Sequence, residues 1–213
     1  MPSHPSPSLT PRKSPVQERS SATVEAILQA TIQVLLRDGK EQLTTTRVAG
    51  RAGVSVGTLY QYFPNKKSLL QAVLRRHLEQ VSGAVERVCR EQAGKPLAEM
   101  VAALIYAFLA AKMRDPRTSV ALYSVSSDVD GYSIARQLSS RFQKSVAAML
   151  ASSPEPLTRS PELVADVLIG AVGGVCRKLL ESPAPEKHFP ALRQELLFLA
   201  EVYVQACSTA AAA

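Results

Sequence analysis

The side chains best suited to chemistry lie between residues 44 and 67. They run Thr44-Thr45-Thr46-Arg47, then Ser55-Val56-Gly57-Thr58-Leu59-Tyr60-Gln61-Tyr62-Phe63, then Pro64-Asn65-Lys66-Lys67. Thr58 and Gln61 can hydrogen-bond to base edges or to phosphate, and Tyr60 and Tyr62 carry hydroxyls on rigid rings. Gly57 removes bulk, so that a backbone there can approach a duplex closely. Lys66 falls at the expected start of a helix, where its charge and the free N–H groups both favour a phosphate.

These groups need elements to hold them, and the same stretch supplies the signals. Thr44 and Thr45 can cap a short helix whose stripe is Val48, Ala49 and Ala52. Gly53 can enter the left-handed conformation of a tight turn, Val54 can point inward, and Ser55 can cap the next helix. Leu59 and Phe63, four apart, anchor that helix and leave Val56, Gly57, Thr58, Tyr60, Gln61 and Tyr62 outward. Pro64-Asn65 ends it, and Asn65 caps a third helix. This is the layout of a helix-turn-helix, whose second helix enters the DNA major groove. A plain helix hairpin with half-buried tyrosines is the alternative. The run as a whole favours duplex DNA, because each residue meets a different requirement of one geometry.

Residues 23–70 resemble the DNA-binding domain of the TetR/AcrR family of bacterial transcriptional regulators. The likeness is carried by Thr44-Thr45, Ala52-Gly53-Val54-Ser55, Gly57-Thr58-Leu59-Tyr60-Gln61-Tyr62-Phe63, Lys66 and Leu69-Leu70. The resemblance implies a three-helix reading head followed by a helical body that binds a ligand and dimerises. It places DNA contacts on Thr45, Thr46, Arg47, Ser55, Val56, Gly57, Thr58, Tyr60, Gln61, Tyr62 and Lys66. Val56 departs from the pattern, since relatives often carry a polar or basic residue there; a valine can still touch a thymine methyl.

With 213 residues, 46% hydrophobic and 20% charged, the chain has the composition of a soluble globular protein. Its formal charge of +7 is lopsided: residues 1–70 hold nine Lys and Arg against four Asp and Glu. Positive charge thus gathers at the end that carries the motif, as attraction to phosphate requires. Cys89, Cys176 and Cys207 share no short spacing, so neither a disulfide framework nor a metal site is expected. No signal peptide is apparent, and the longest apolar run, Met100 to Ala111, is too short to span a bilayer. A cytoplasmic protein without membrane association is expected.

Three segments follow: a basic tail at 1–20, a helix-turn-helix domain at 21–67, and an effector-binding and dimerisation body at 68–213. The Pro- and Ser-rich tail cannot bury enough apolar surface to order itself; it is either a disordered tail or a basic arm that lies on DNA. Val24, Ile27, Leu28, Thr31, Ile32, Leu35 and Leu36 predict a first helix that stops at Gly39. A long helix is predicted over about 66–92, linking the reading head to the body. Further helices are expected over 97–112, 118–126, 132–150, 163–180 and 189–207, with a loop at 152–161. The class is all-α.

The small residues Gly170, Gly173 and Gly174 allow a second helix to approach closely, and glycines inside a helix call for a packing reason. Packing within the chain is one reason. The family resemblance implies another, a homodimer interface including these glycines with Leu196 and Tyr203. A two-fold dimer would read a near-palindromic operator.

Met100, Leu104, Phe108, Tyr123, Tyr132 and Phe142 are expected to line a pocket for an uncharged or amphipathic small molecule. No nucleophile elbow, Walker loop, His-Glu-x-x-His or dinucleotide fingerprint occurs, and His4, His77 and His188 fall on the tail, the long helix and a loop. Asp128 and Asp130 lack the downstream glutamate of a calcium loop, and Asp130 is expected to cap a helix. An enzyme, a cofactor and a metal are therefore not expected. Two functions remain. One is a repressor released from its operator by a small hydrophobic or amphipathic effector. The other is an activator or scaffold whose body only dimerises or binds a partner protein.

Overall fold

The computed structural model describes residues 15–208, with side chains from Ser20 onward. The chain divides into two compact units between Leu69 and Leu70, two residues beyond the expected boundary. Nine α-helices form among the described residues and no β-strand; the class is all-α. None of these helices is long and apolar enough to cross a membrane.

The first unit is built from α1 (Pro15–Gln42), α2 (Thr45–Ala52), α3 (Val56–Tyr62) and the first turn of α4 (Lys66–Gln92). Helix α1 opens at Pro15, inside the stretch assigned to the basic tail; the remainder of that tail lies outside the described residues. Gly39, at φ 76°, breaks α1 near its C-terminal end, where only glycine takes this conformation without strain. Ile27, Val34, Leu43, Val48, Leu59 and Leu69 are fully buried and form the core. Each such burial is worth about 1.5–3 kcal/mol. Thr31, the buried polar residue here, donates its hydroxyl to the carbonyl of Ile27 at 2.7 Å.

The second unit holds the rest of α4 with α5 (Leu97–Met113), α6 (Pro116–Val125), a 3₁₀ turn (Ser127–Val129), α7 (Gly131–Ala151), α8 (Pro161–Glu181) and α9 (Pro185–Ala206). Helix α5 is apolar almost all round, and it packs on α6, α7 and α9, as a central helix must. Its Leu97, Met100, Val101, Leu104, Ile105 and Leu109 join Val146, Met149 and Leu150 of α7 and Val164 and Leu168 of α8 in one core. The loop before α8 is pinned by Thr158, whose N–H and hydroxyl both donate to the carbonyl of Cys207, at 2.7 and 2.9 Å. All three cysteines are free and buried.

Helix α9 begins at Pro185, a turn before Phe189, because proline is tolerated where the first N–H has no partner anyway. His188 therefore sits in a helix and not in a loop. Asp130 does stand before α7, in the left-handed region at φ 56°, but its side chain makes no capping bond. Gly131 follows because nothing larger fits: a Cβ there would lie 2.7 Å from Ser126 Cβ and 2.9 Å from Leu74 Cδ2.

Candidate nucleic-acid interface and an internal cavity

In the first unit, local capping sets the turn between α2 and α3. The amide of Arg47 donates to Thr44 Oγ1 at 3.2 Å, which starts α2. Gly53, at φ 70° and ψ 28°, closes it. Ser55 Oγ then accepts from the amide of Thr58 at 3.0 Å and starts α3. Leu59 is completely buried and Phe63 nearly so, which fixes the roll of α3 about its axis. Gly57, Tyr60 and Gln61 are left exposed, Tyr60 at 47%. Val56, Thr58 and Tyr62, expected to face outward, are half-buried.

Several polar groups carried over from the family pattern already have partners in the chain. Thr45 Oγ1 lies 3.1 Å from Tyr60 Oη, so the first turn of α2 steadies the ring on α3. Thr58 Oγ1 lies 2.8 Å from Ser55 Oγ. Arg47 Nη1 donates to the Gln42 carbonyl at 3.2 Å and lies 3.6 Å from Asp38 Oδ2. The Asp38 carboxyl is held below the usual carboxylate range, first by its hydrogen bond from Arg37 and also by the charge of Arg47. Lys66 Nζ donates to the carbonyl of Lys40 at 2.8 Å, close after the break in α1. An ammonium has three donors, so a phosphate can still be met by the others. Thr46 is exposed.

One cation was passed over by sequence reasoning. Lys67 is exposed in the first turn of α4 and makes no hydrogen bond or ion pair among the described residues. The helix beneath it is capped reciprocally: Ser68 N donates to Asn65 Oδ1 at 2.8 Å, and Asn65 N to Ser68 Oγ at 3.3 Å. Its position next to Lys66 was the available signal. The arrangement is a rigid helix that presents a glycine, a phenol and a carboxamide, with a cation at a neighbouring helix start. Such groups can contact base edges and phosphates.

Within the second unit is a cavity of about 700 Å³ walled by α4 to α8. Phe108, Tyr123, Tyr132 and Phe142 line it, with Tyr132 highly exposed. Met100 and Leu104, expected on the same wall, do not. They are 0% and 6% exposed and belong to the core, because the central α5 is covered along that part of its length. Sequence reasoning missed His77, Lys112, Ser119, Cys176 and Arg177, all of which reach the cavity. Lys112 follows Phe108 by four residues on the same helical face, which was the signal for it. Burial pushes the His77 pKa down to about 4, helped by the charges of Lys112 and Arg114 and opposed by Asp115.

The proposed pairing residues divide. Gly170 and Gly174 are exposed, and a Cβ at either would meet nothing within 4 Å. Gly173 is equally unobstructed but lines the cavity. Leu196 is not available to a second chain: it is 3% exposed and packed in its own core. Tyr203 is half-buried against that core. The exposed large apolar side chains on these helices are instead Leu163 and Val167 of α8, and Phe198, Leu199 and Val202 of α9.

Comparison with known proteins bears on both units. Residues 27–73 match the family described as bacterial regulatory proteins, tetR family. Residues 96–203 match the tetracyclin repressor-like C-terminal domain. The HTH-type transcriptional repressor KstR of Mycolicibacterium smegmatis is 43% identical over 61 residues, 29% of this chain and 30% of that protein. The nucleoid occlusion factor SlmA of Actinobacillus pleuropneumoniae is 30% identical over 106 residues, 50% of each chain. The chain thus spans half or less of the length of these two relatives. A transcriptional regulator from Rhodococcus sp. Rha1 shares the fold, with a TM-score of 0.67 at 22% identity over 87% of this chain and 97% of that one.

Proposed function

The chain belongs to the TetR family of bacterial regulators, and on that premise we propose that it is an effector-released repressor acting as a homodimer in the cytoplasm. It is a DNA-binding transcriptional regulator, and its family consists of regulators and not of enzymes. The observation that carries the repressor reading is the pairing of an exposed, rigidly capped α3 with a separate cavity large enough for a ligand. Pockets of roughly 300–1,000 Å³ hold drug-sized molecules. A body that only dimerised or held a partner protein would not need one.

In this scheme Tyr60 and Gln61 read base edges from the major groove, Gly57 permits close approach, and Lys66, Lys67 and Thr46 meet phosphates. The open stripe of α8 with Phe198, Leu199 and Val202 of α9 supports pairing of two chains there, which gives a palindromic operator. Helix α4 supplies the DNA end with Lys66 and the cavity wall with Leu74, His77 and Val81. A ligand that favours one setting of α4 over another thereby couples the two sites.

The test starts from random duplex DNA selected on the purified protein. The expected product is a near-palindrome with half-sites about one or more helical turns apart, bound by two chains. Release from that operator by members of a panel of hydrophobic and amphipathic compounds completes the scheme. Retention of the operator under every compound that raises the melting temperature would favour the scaffold reading instead.

A further inference from the structure

The cavity wall carries a cation, Lys112, to which no described residue offers a carboxylate. Lys112 lies in the last turn of α5, one helical repeat beyond Phe108, and lines the cavity. Its ammonium makes no hydrogen bond and no ion pair among the described residues; since no fully buried side-chain nitrogen there lacks a partner, it is open to the cavity rather than sealed in the core. Burial lowers its pKa, and the one group that counters this is the Cys176 thiol on α8, not a carboxylate. A partly desolvated cation without a partner is unfavourable, and buried charges are ordinarily paired.

The other ionisable groups on the wall do not supply that partner. His77 is neutral above about pH 4. Ser119 donates its single hydroxyl hydrogen to the Lys112 carbonyl at 2.6 Å, so it can only accept from His77 Nε2, 3.4 Å away. Arg177 is a second cation, placed over the Tyr123 ring at 5.6 Å. Asp130 is the sole carboxylate among the lining residues, and it is exposed to solvent. Apart from these groups and the serines, the wall is mainly hydrocarbon and aromatic.

We propose that this cavity takes an amphipathic carboxylic acid, its carboxylate on Lys112 Nζ and its apolar part along Leu74, Leu78, Val81, Phe108 and Phe142. The inference rests on the reading of the cavity as an effector site and narrows it from any amphipath to a monoanion. With Arg177 held over the Tyr123 ring, one ammonium is left to balance one negative charge, which favours a carboxylate over a doubly charged phosphate. The carboxylate gives Lys112 the charge-assisted hydrogen bond that the fold withholds.

The test uses three probes with one tail: dodecanoate, dodecanamide and dodecyltrimethylammonium, each titrated calorimetrically below its micellar range into the full chain. Dodecanoate should bind at least about tenfold tighter than dodecanamide, as a charge-assisted hydrogen bond implies, with the cationic probe weakest. Lys112→Met should lose most of that preference and keep its affinity for dodecanamide, whereas Lys112→Arg should retain the preference. Equal binding of dodecanoate and dodecanamide by the unmodified protein, or a preference that survives in Lys112→Met, overturns the anion assignment and leaves the effector site standing. Failure of all three probes to bind overturns both. The comparison within the unmodified protein decides the matter even if a variant fails to fold.

Discussion

Thr45 and Tyr60 are fifteen residues apart in sequence, yet their side-chain oxygens lie 3.1 Å apart across the turn between α2 and α3. The bond restrains an exposed phenol on a helix of only seven residues. A seven-residue helix is too short to be stable alone, so its presentation depends on such ties and on Leu59 beneath it.

Tyr60→Phe should therefore weaken operator binding by less than tenfold, since the ring stays and only its hydroxyl is lost. Tyr60→Ala and Gln61→Ala should each lose more on the operator than on random duplex, by about 1–3 kcal/mol for a well-formed base contact. Fluorescence anisotropy on both duplexes measures this. Equal losses on the two would remove these side chains from base readout.

The two adjacent lysines should separate. Lys67→Ala removes a cation that no described residue pairs, so the slope of log affinity against log salt should flatten by about 0.9, with the melting temperature unchanged. Lys66→Ala should lower stability by about 1 kcal/mol as well, because the Lys40 carbonyl loses its donor. An unchanged salt slope in Lys67→Ala would strike it from the phosphate contacts.

His77 makes stability depend on pH. It takes a proton near pH 6.5 in the unfolded chain but only near pH 4 when folded, with burial as the first cause. The unfolded state binds more protons in that window, so stability falls as pH drops from about 6.5 to about 4. The loss is at most about 3 kcal/mol. Urea melts of the parent and of His77→Gln across that range should converge as the pH falls. Parallel curves would mean that His77 titrates normally in the fold.

On the α8 surface, Gly174→Leu should leave the isolated chain at least as stable. A Cβ added there meets nothing within 4 Å, and a glycine inside a helix is worth about 1 kcal/mol less than alanine. The same change should push a close-packed dimer apart, and Phe198→Ser should weaken it by removing exposed apolar area. Sedimentation velocity distinguishes these effects. A dimer unaffected by either change would place the pairing surface elsewhere.

The reading head was legible because its signals are local. Thr44, Gly53, Ser55 and Asn65 each act on backbone groups within a few residues, so their types and spacing specify the turn without reference to the rest of the chain. The body was legible only as a set of helices. Met100, Leu104, Phe108 and Lys112 follow one another four residues apart in a row that winds about 40° per step around α5, and that spacing does not say how deep each position lies. Leu196 shows the same limit on α9, where an apolar stripe points equally well to the chain's own core or to a second chain.

What the amino-acid order determined alone was the all-α class, the capped helix pair and the concentration of positive charge beside it, since these follow from nearest neighbours and helical periodicity. Tertiary packing decided which polar groups near that pair are already occupied and which, such as Lys67, find no partner among the described residues. It also decided that the row of side chains along α5 passes from solid core at Met100 to an open cavity at Lys112. Depth and partnership depend on which distant elements cover a position, and that covering arises only when the helices assemble.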